Sequence, residues 1–431
     1  MNKGRIPLAN TFSIGGFSMT LTCVGIDVAK GKSTISALGW GDVVLIKPYD
    51  VPHTASALCE LAGSLRQLPG EVRVVMEHTG RYWFPVAQVF YEAGLFVCAV
   101  NPKLIKDFGD NKLRSIKNDK ADSKKLSRYG LKYWTDLVPY IPTEVTRQKL
   151  LEFSRQLDAS NKLLTGLKNN LQAIVDMTFP GVRKLLKSPA RDDGHIKWVD
   201  FVCTFYHCNY VRELGEARFM ERYRNWCKRH GYSFVSRGAG KIYAIAHNQV
   251  TTLPCDADTK LLISEAARQL TSVSAAAETW RAKINALASI LPEYDCVMSM
   301  YGCGKTTGPQ LMAEIGDPVR FTGKKNLVNF AGIAPGDNQS GTYRQKSVSA
   351  SKKGSSHLRK TLFLVMSALL QKSPLDEPVY QFLDRKRAEG KPYYVYMTAG
   401  ANKFLRIYFS KVRDHLAMLD AASSNSTLAN P

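Results

Sequence analysis

The stretch LTCVGIDVA, residues 21–29, decides the fold of the first part of the chain. Its apolar residues run without interruption, which predicts a buried β-strand. The run ends in a carboxylate, Asp27, and burying a carboxylate costs several kcal/mol unless a cation compensates it. This end of the strand is therefore a candidate for chemistry.

Residues 33–40 and 43–49, which follow this strand, read as further strands separated by a Gly41–Asp42 turn. A second β-branched run, residues 71–77, again ends in a carboxylate, Glu77. Helical spacing occupies 54–68 and 81–94, and 95–102 reads as another strand. Strands that alternate with helices predict an α/β domain with a mixed sheet, up to about residue 135.

The middle of the chain has two heptad runs, over residues 150–174 with a polar gap at Ser160 and over residues 263–291. Either an intrachain helical hairpin or an intermolecular coiled coil accounts for them. Residues 179–256, between the two runs, show no pattern that assigns them to a structural class. The sequence thus predicts four parts: an extension, 1–20, for which Met19 is an alternative start; an α/β domain, 21–135; a coiled-coil region, 140–292, containing the unassigned 179–256; and a helical C-terminal domain, 293–431.

The C-terminal part contains Gly-Cys-Gly-Lys-Thr, which is not a P-loop because Ser299 stands where the first P-loop glycine belongs. We interpret it as a helix-hairpin-helix-like turn that grips a nucleic-acid phosphate through backbone amides. The alternative is a tight interhelical turn with no ligand. The residues of this candidate contact are Gly302, Gly304, Lys305 and Thr306.

With 59 Lys and Arg against 37 Asp and Glu, the chain of 431 residues carries a net charge of +22. This favours a polyanionic partner, nucleic acid before an anionic membrane surface. No apolar run approaches the roughly 18 residues of a spanning helix, so we expect no membrane. Nine cysteines without a compact pattern indicate a reducing, cytoplasmic setting. Cys203, Cys208, Cys227 and His230, with His207 competing, have zinc-like spacing, but ordinary buried thiols are favoured.

Two more carboxylates, Asp119 and Asp122, lie i, i+3 on one predicted helix face. Between Lys103 and Lys132 there are ten Lys or Arg and four Asp, so salt-bridge partners are one explanation. Together with Asp27 and Glu77, however, they supply four oxygen ligands, which suit two Mg²⁺ ions clamping a phosphodiester. The neighbouring cations predicted to bind nucleic acid are Lys112, Arg114 and Lys117.

Seven segments occur in this order along the chain: GIDVAK, MEHTGRYW, VNPKLIKDF, KNDKADSKKL, YGCGKTTGPQLMAEIGD, FAGIAPGDNQSG and SASKKGSSHLRKTL. Together they closely resemble the "IS one-ten" family of insertion-sequence transposases. That family is related to the Piv-type DNA invertases and acts with a bridge RNA. The resemblance covers about residues 21–178 and 258–418. It departs at His78, where a small residue is commoner, and over 179–256, which is longer than the family's connection.

The resemblance implies a RuvC-like (ribonuclease H-like) N-terminal domain whose Asp-Glu-Asp-Asp tetrad matches Asp27, Glu77, Asp119 and Asp122. It also implies Mg²⁺, a coiled-coil dimerisation region and a nucleophilic serine in the C-terminal domain, matching Ser340. In the family the tetrad of one protomer is thought to meet the serine of another. That would supply the activation that the loop GDNQSGTYRQK, residues 336–346, lacks.

Ser340 is preferred over Ser347 and Ser349, because only Ser340 precedes a glycine that gives DNA close access. The cations around it suit a pentavalent phosphorus and its flanking phosphates; they are Arg344, Lys346, Lys352, Lys353, Arg359 and Lys360.

The sequence therefore predicts a DNA transposase or recombinase that acts through a covalent phosphoserine on donor and target DNA, as a homodimer or homotetramer, with a guiding RNA implied by the resemblance alone. The alternatives are a RuvC-like structure-specific nuclease and a non-catalytic DNA- or RNA-binding scaffold.

Overall fold

A computed structural model describes residues 11–14, 17–78, 80–108, 118–335, 339–340, 343–344 and 350–428, with the backbone alone for 11–14, 17–19, 339–340, 343–344 and 423–428. The chain divides into two compact units, Met1–Pro142 and Thr143–Pro431. Each unit has its own hydrophobic core. The further division predicted at residue 293, inside the second unit, stays a prediction.

The first unit is built on a mixed sheet of six strands. Its strands are β1 (Thr11–Ile14), β2 (Phe17–Val28), β3 (Lys32–Gly39), β4 (Val43–Pro52), β5 (Glu71–Glu77) and β6 (Phe96–Val100). The order is β4-β3-β2-β5-β6, and β1 pairs with the first part of β2. β3 runs antiparallel to β2 and β4, whereas β2, β5 and β6 are parallel. The predicted strands and the mixed sheet are confirmed.

Helices cover both faces of this sheet. Side chains alternate across a strand, so Val24 and Ile26 face one core while Cys23 faces the other. The first core is closed by α1 (Ala55–Leu65) and α2 (Trp83–Glu92). The second is closed by α3 (Pro102–Phe108) and α4 (Asp119–Lys132). The predicted α/β architecture of the N-terminal part is therefore confirmed.

The second unit is almost entirely helical. Its two long helices are α5 (Val145–Thr178) and α11 (Ala257–Ala288). The segment between them forms α6 (Val182–Leu185), α7 (Lys197–Thr204), α8 (Cys208–Leu214), α9 (Glu216–Arg229) and α10 (Ser236–Asn248). The C-terminal part adds α12 (Tyr294–Met298), α13 (Thr307–Ile315), α14 (Lys324–Ala331), the two-residue strands β7 (Gln339–Ser340) and β8 (Tyr343–Arg344), α15 (Ser356–Lys372), α16 (Pro378–Ala388) and α17 (Tyr393–Leu428).

The apolar stripes of the two heptad runs are buried inside this unit. Leu150, Leu157 and Leu171 on α5 are fully buried, as are Ile263 and Leu270 on α11. The two helices pack against each other along their length. This arrangement is the intrachain alternative, in which the stripes partner one another. Pairing between copies of the chain stays a prediction.

A buried ion pair fixes α5 to the C-terminal helices. The Arg147 guanidinium donates to both carboxylate oxygens of Glu293, with Nη2–Oε2 at 2.9 Å, and to the carbonyl of Gly316 at 3.2 Å. Both side chains are buried, so each charge depends on its partner. Among the described residues, no helix is both long and apolar enough to cross a membrane.

Candidate active site

The carboxyl ends of two neighbouring strands bring Asp27 and Glu77 together. Ile26 on β2 pairs with Met76 on β5 in parallel register, so the next residues, Asp27 and Glu77, lie at the same edge of the sheet. Both point to the face that α4 covers, because Gly25 and Val75, two positions earlier, face α4. Glu77 is the last residue of β5, as predicted, and Asp27 is the last but one of β2.

Helix α4 lies directly on β2 because glycine occurs where the two backbones meet. A Cβ atom on Gly25 would be 2.0 Å from the carbonyl oxygen of Ser123 and 2.4 Å from the amide of Ser127. On the helix side, a Cβ on Gly130 would be 2.2 Å from Sγ of Cys23. Any side chain at these two glycines would push α4 off the sheet.

The buried Ser127 hydroxyl then joins the helix to two strands. It accepts a hydrogen bond from the amide of Gly25 at 2.9 Å and donates to the carbonyl of Ser36 at 3.1 Å. Gly25 and Ser36 are register partners in β2 and β3, so the hydroxyl sits between them. Sequence reasoning missed Gly25, Ser127 and Gly130; the only signal was the small residues on one face of α4.

This seat places the first turn of α4 beside Asp27. Asn118 caps the helix by accepting from the amide of Ala121 at 2.8 Å, and Asp119 and Asp122 follow in the first turn. Burial, together with the carboxylates of Asp119, Asp122 and Glu77, raises the pKa of Asp27 from 3.8 to about 6. The other three predicted carboxylates therefore all act on Asp27 at this sheet edge.

The donor set fits a hard divalent cation, because all four ligands would be carboxylate oxygens. Within the described ranges, no three His, Cys, Asp or Glu side chains lie close enough together to hold a metal ion. The four carboxylates thus lie near the same sheet edge, but they are not close enough together to form a metal-binding cluster. Magnesium binding by Asp27, Glu77, Asp119 and Asp122 stays a prediction.

The raised pKa of Asp27 has a consequence for stability. Its folded pKa of about 6 exceeds the ordinary 3.8, so ionisation disfavours the fold as pH rises through this interval. Asn cannot ionise, and we expect Asp27→Asn to raise the free energy of unfolding at pH 8 without metal on the order of 1 kcal/mol. The gain should shrink at pH 5, where the parent carboxyl is largely protonated. Denaturant unfolding in EDTA at both pH values measures it.

Asp42→Asn is the matched control, because Asp42 is exposed and pairs with Arg128 at 2.9 Å, at the other end of α4. It should give no such pH-dependent gain. A gain from Asp27→Asn that is equal at pH 5 and pH 8 would contradict mutual repulsion among the four carboxylates.

Ser340 lies in the second unit, at the end of β7, where it pairs with Tyr343 of β8. Pro335 and Ala350 form a bridge below this hairpin. Arg344 lies in β8, and Lys346 lies outside the described residues, as do Lys112, Arg114 and Lys117. The structure gives the backbone position of Ser340 and Arg344 but no side-chain contacts.

The segments that enter and leave the serine loop form a tight stem. A Cβ on Gly332, which has φ of +67°, would be 2.5 Å from the amide of Gly354. The Arg359 guanidinium donates to the carbonyls of Ala331, at 3.0 Å, and Gly354, at 2.9 Å. Arg359 thus links the two segments of the stem. The sequence predicted it only as a phosphate ligand. Lys352 and Lys353 are exposed.

A buried acid anchors the start of α15 to α5. Asp158 pairs with Nζ of Lys360 at 2.6 Å and with Nδ1 of His357 at 2.9 Å. Burial acts to raise the pKa of Asp158, but these hydrogen bonds outweigh burial and hold it below its usual range. Lys360, a predicted nucleic-acid contact, is therefore engaged within the protein. Nothing in the sequence pattern singled out Asp158.

Backbone conformation and close packing explain the glycine at position 302 of the Gly-Cys-Gly turn. Gly302 has φ of +85°, and a Cβ there would be 2.8 Å from Val365 on α15. The Thr307 hydroxyl accepts from the amide of Gly304 at 2.9 Å and donates to the carbonyl of Gly302 at 2.8 Å. These contacts match the alternative of a tight interhelical turn. Lys305 is exposed and Thr306 partly so, and phosphate binding here stays a prediction.

The cysteines and histidines whose spacing resembles that of zinc ligands lie among the short helices of residues 179–256. Burial raises the pKa of Cys203 and of Cys208 to about 11. His230 stacks on Trp226, with ring centroids 4.8 Å apart. The two ring nitrogens of His207 contact the carbonyl of Leu253 and the amide of Asn209, both at 3.0 Å. Each group thus takes part in the packing or hydrogen bonding of these helices.

Comparison with known proteins finds relatives that match parts of the chain. An insertion element IS110 protein of Streptomyces coelicolor, described as an uncharacterized 43.6 kDa protein, is 25% identical over 274 residues, 61% of this chain and 65% of the relative. The pilin gene-inverting protein of Moraxella bovis is 32% identical over 114 residues, 26% of this chain and 35% of the relative. The chain thus spans less than two thirds of the length of these relatives.

A solved structure of Thermus thermophilus RuvC in complex with a Holliday junction substrate aligns with a TM-score of 0.23 and 14% identity, covering 28% of this chain and 99% of that one.

Two family models match the chain in separate regions. A model named for the DEDD transposases of IS110, described as "Transposase", matches residues 24–180. A second, described as "Transposase IS116/IS110/IS902 family", matches residues 294–381. The first match contains the four carboxylates and the second contains Ser340 and its stem. The chain belongs to the IS110 family of transposases.

Proposed function

We propose that this protein is an insertion-sequence transposase that cuts and rejoins DNA strands through a covalent phosphoserine at Ser340. The main observation in support is that Asp27, Glu77 and the first turn of α4 lie at one sheet edge. Close packing of α4 on the sheet at Gly25 and Gly130 produces this arrangement. Membership of a transposase family supports it. We further propose that the first unit is a RuvC-like domain, and that a homodimer or homotetramer is the active form.

The two sites have separate tasks in this proposal. The Ser340 oxygen attacks a DNA phosphorus, forming an Oγ–P bond while the bond from phosphorus to one deoxyribose oxygen breaks. The hydroxyl proton leaves to a base outside the loop, and the released deoxyribose oxygen takes up a proton. Reversal with a different deoxyribose hydroxyl rejoins the strand and restores the serine.

Asp27, Glu77, Asp119 and Asp122 would hold Mg²⁺ in this proposal. When bound, the metal would stabilise the negative charge that develops at the phosphodiester. The chain's own contribution is the arrangement of the four carboxylates: the rigid contact of α4 with β2 fixes the first turn of the helix relative to both strand ends. The tight stem below Ser340 likewise limits the positions that the serine backbone can take.

Guidance by a bridge RNA is also part of the proposal. It rests on the resemblance to the family, and the net charge of +22 is compatible with it. Base pairing would then select donor and target DNA, while the protein holds the duplexes without reading their sequence. The RNA that co-purifies with the protein tests this part: a discrete species encoded beside the gene is expected, and its absence would overturn guidance.

Trapping of a protein–DNA adduct tests the serine chemistry. Incubated with Mg²⁺ and its element's DNA ends, then denatured, the parent protein should migrate as a covalent adduct on a denaturing gel. Ser340→Ala removes the only oxygen that forms the bond, so its adduct should be undetectable. Ser347→Ala changes a serine seven positions further along the sequence; it serves as the matched control and should retain the adduct.

The other outcomes identify the alternatives. Cleavage by the parent without any adduct would indicate a RuvC-like nuclease that uses water, and would overturn our proposal. Neither cleavage nor adduct, with DNA binding retained, would favour a non-catalytic scaffold.

A further inference from the structure

The segment 179–256 has no counterpart of this length in the family resemblance, and it carries a cleft of its own. A cavity of about 900 Å³ lies between the second half of α5, the short helix α6 and residues 187–198. Four cations line it, from three successive parts of the chain: Lys168 on α5, Arg183 and Lys184 on α6, and Lys187 just after α6. The cleft is therefore strongly basic.

Little negative charge offsets these cations. Asp176 is the one carboxylate in the lining, and its Oδ1 accepts a hydrogen bond from Gln172. Among the described residues, none of the four cations forms an ion pair with a carboxylate. Like charges gathered in a concavity repel one another and raise the local concentration of anions. The cleft is thus built to attract a negatively charged ligand.

The central guanidinium is held in place before any ligand arrives. Arg183 stacks over the ring of Trp198, with Cζ 5.0 Å from the ring centroid, and Nη1 donates to Oε1 of Gln172 at 3.3 Å. Trp198 is only 4% exposed, so its ring is a fixed platform. A guanidinium fixed on one side keeps its other donors free for a phosphate, at less entropic cost than a mobile side chain.

The size and shape of the cleft favour an extended ligand. Its volume lies near the upper end of the ~300–1,000 Å³ of small-molecule pockets, yet its rim is open and four cations lie among its lining residues. Cations spaced along a helix, a turn and the following segment match successive phosphates better than a single anion.

We propose that this cleft binds the sugar–phosphate backbone of a nucleic acid, as a contact separate from the carboxylate site and from the serine loop. Its ligand is recognised by phosphate charge, without sequence preference. Residues 179–256 thereby extend the nucleic-acid surface of the second unit.

Charge reversal of two exposed cations tests this on the full chain. Lys184→Glu/Lys187→Glu should weaken binding of a labelled nucleic acid about tenfold or more near 0.15 M salt, and should lower the slope of log K against log salt by about two. Fluorescence anisotropy over a salt series measures both quantities, with single-stranded RNA, single-stranded DNA and duplex DNA as probes. Lys184→Ala/Lys187→Ala should show a smaller loss in the same direction.

The matched control is Lys228→Glu/Arg229→Glu, in the last turn of α9. It makes the same change in charge at two exposed cations outside the cleft. A loss confined to the cleft variant on any of the three probes supports the proposal and names that probe's class as the ligand. Equal losses from both variants, or no loss from either, would overturn it. Thermal unfolding must give the parent's midpoint, and the alanine variant replaces the glutamate variant where it does not.

This test is independent of the serine chemistry. It measures binding, so a parent protein that forms no phosphoserine adduct can still show the cleft-specific loss, and the adduct can persist where the cleft has no role.

Discussion

Asp27→Ala and Glu77→Ala should each lower element excision by about a thousandfold or more, because residues that act as one catalytic unit fail together. Each substitution removes one of four carboxylates that the fold concentrates at the end of β2 and β5. Binding of the element's DNA should change little, since removing negative charge does not weaken contact with phosphates. Excision from a plasmid-borne element, scored beside DNA binding by the same variant, measures the two effects separately.

Two carboxylates in the same unit provide matched controls. Asp42, exposed and paired with Arg128, controls for loss of an acid that contacts α4. Glu71 begins the strand that Glu77 ends, and it pairs with Arg73 at 2.8 Å. Asp42→Ala and Glu71→Ala should excise within about threefold of the parent, as surface changes usually do. Excision that survives Asp27→Ala would contradict catalysis at this edge and favour a scaffold.

The parts of the site that sequence predicted are those with a local signal. A buried strand shows itself as an apolar run, and a carboxylate at its end stands out within a few residues, as Asp27 and Glu77 do. The parallel direction of β5 and β6 follows from the strand–helix–strand order. The pairing of β2 with β5 does not, because β3, β4 and α1 lie between them in the chain. The same local reading placed Asp119 and Asp122 on one face of α4.

The parts it missed depend on contacts between distant residues. The amide of Gly25 meets the Ser127 hydroxyl 102 positions away, and Asp158 meets His357 199 positions away. No periodicity in either segment records such a pair. Gly25 in β2, with Ser127 and Gly130 in α4, therefore holds the helix on the sheet, and the sequence alone did not reveal this role.

The distribution of charge along the sequence also could not distinguish cations available to bind nucleic acid from cations that bond to other groups of the protein. Arg359 and Lys360 are neighbours in a basic segment, yet the first caps two carbonyls and the second pairs with Asp158. The heptad runs were ambiguous in a similar way, because the same apolar spacing occurs in helices that pack within one chain and in helices that pack between two chains. Only the packing of α5 against α11 gives the stripes a partner within the chain.

Mixing two inactive variants should restore excision if the serine and the carboxylates of one active site come from different copies. Ser340→Ala keeps all four carboxylates, and Asp27→Ala keeps the serine, so neither homo-oligomer has both. In a mixed oligomer, the serine of the Asp27→Ala copy can meet the intact carboxylates of the Ser340→Ala copy. We expect excision to rise from background to a substantial fraction of the parent's in cells that express both proteins.

The mixture must be compared with one that cannot complement. Ser340→Ala with a second Ser340→Ala copy, at the same total expression, provides no nucleophile in any arrangement. Glu77→Ala mixed with Asp27→Ala tests the converse, because every carboxylate set then lacks one member while all serines are present. Recovery only in the serine–carboxylate mixture fits a site completed by assembly. No recovery, in mixtures shown by affinity tags to contain both variants in one oligomer, would place Ser340 and the carboxylates of the same chain in one site. The base that takes the Ser340 proton would then have to lie within a single chain.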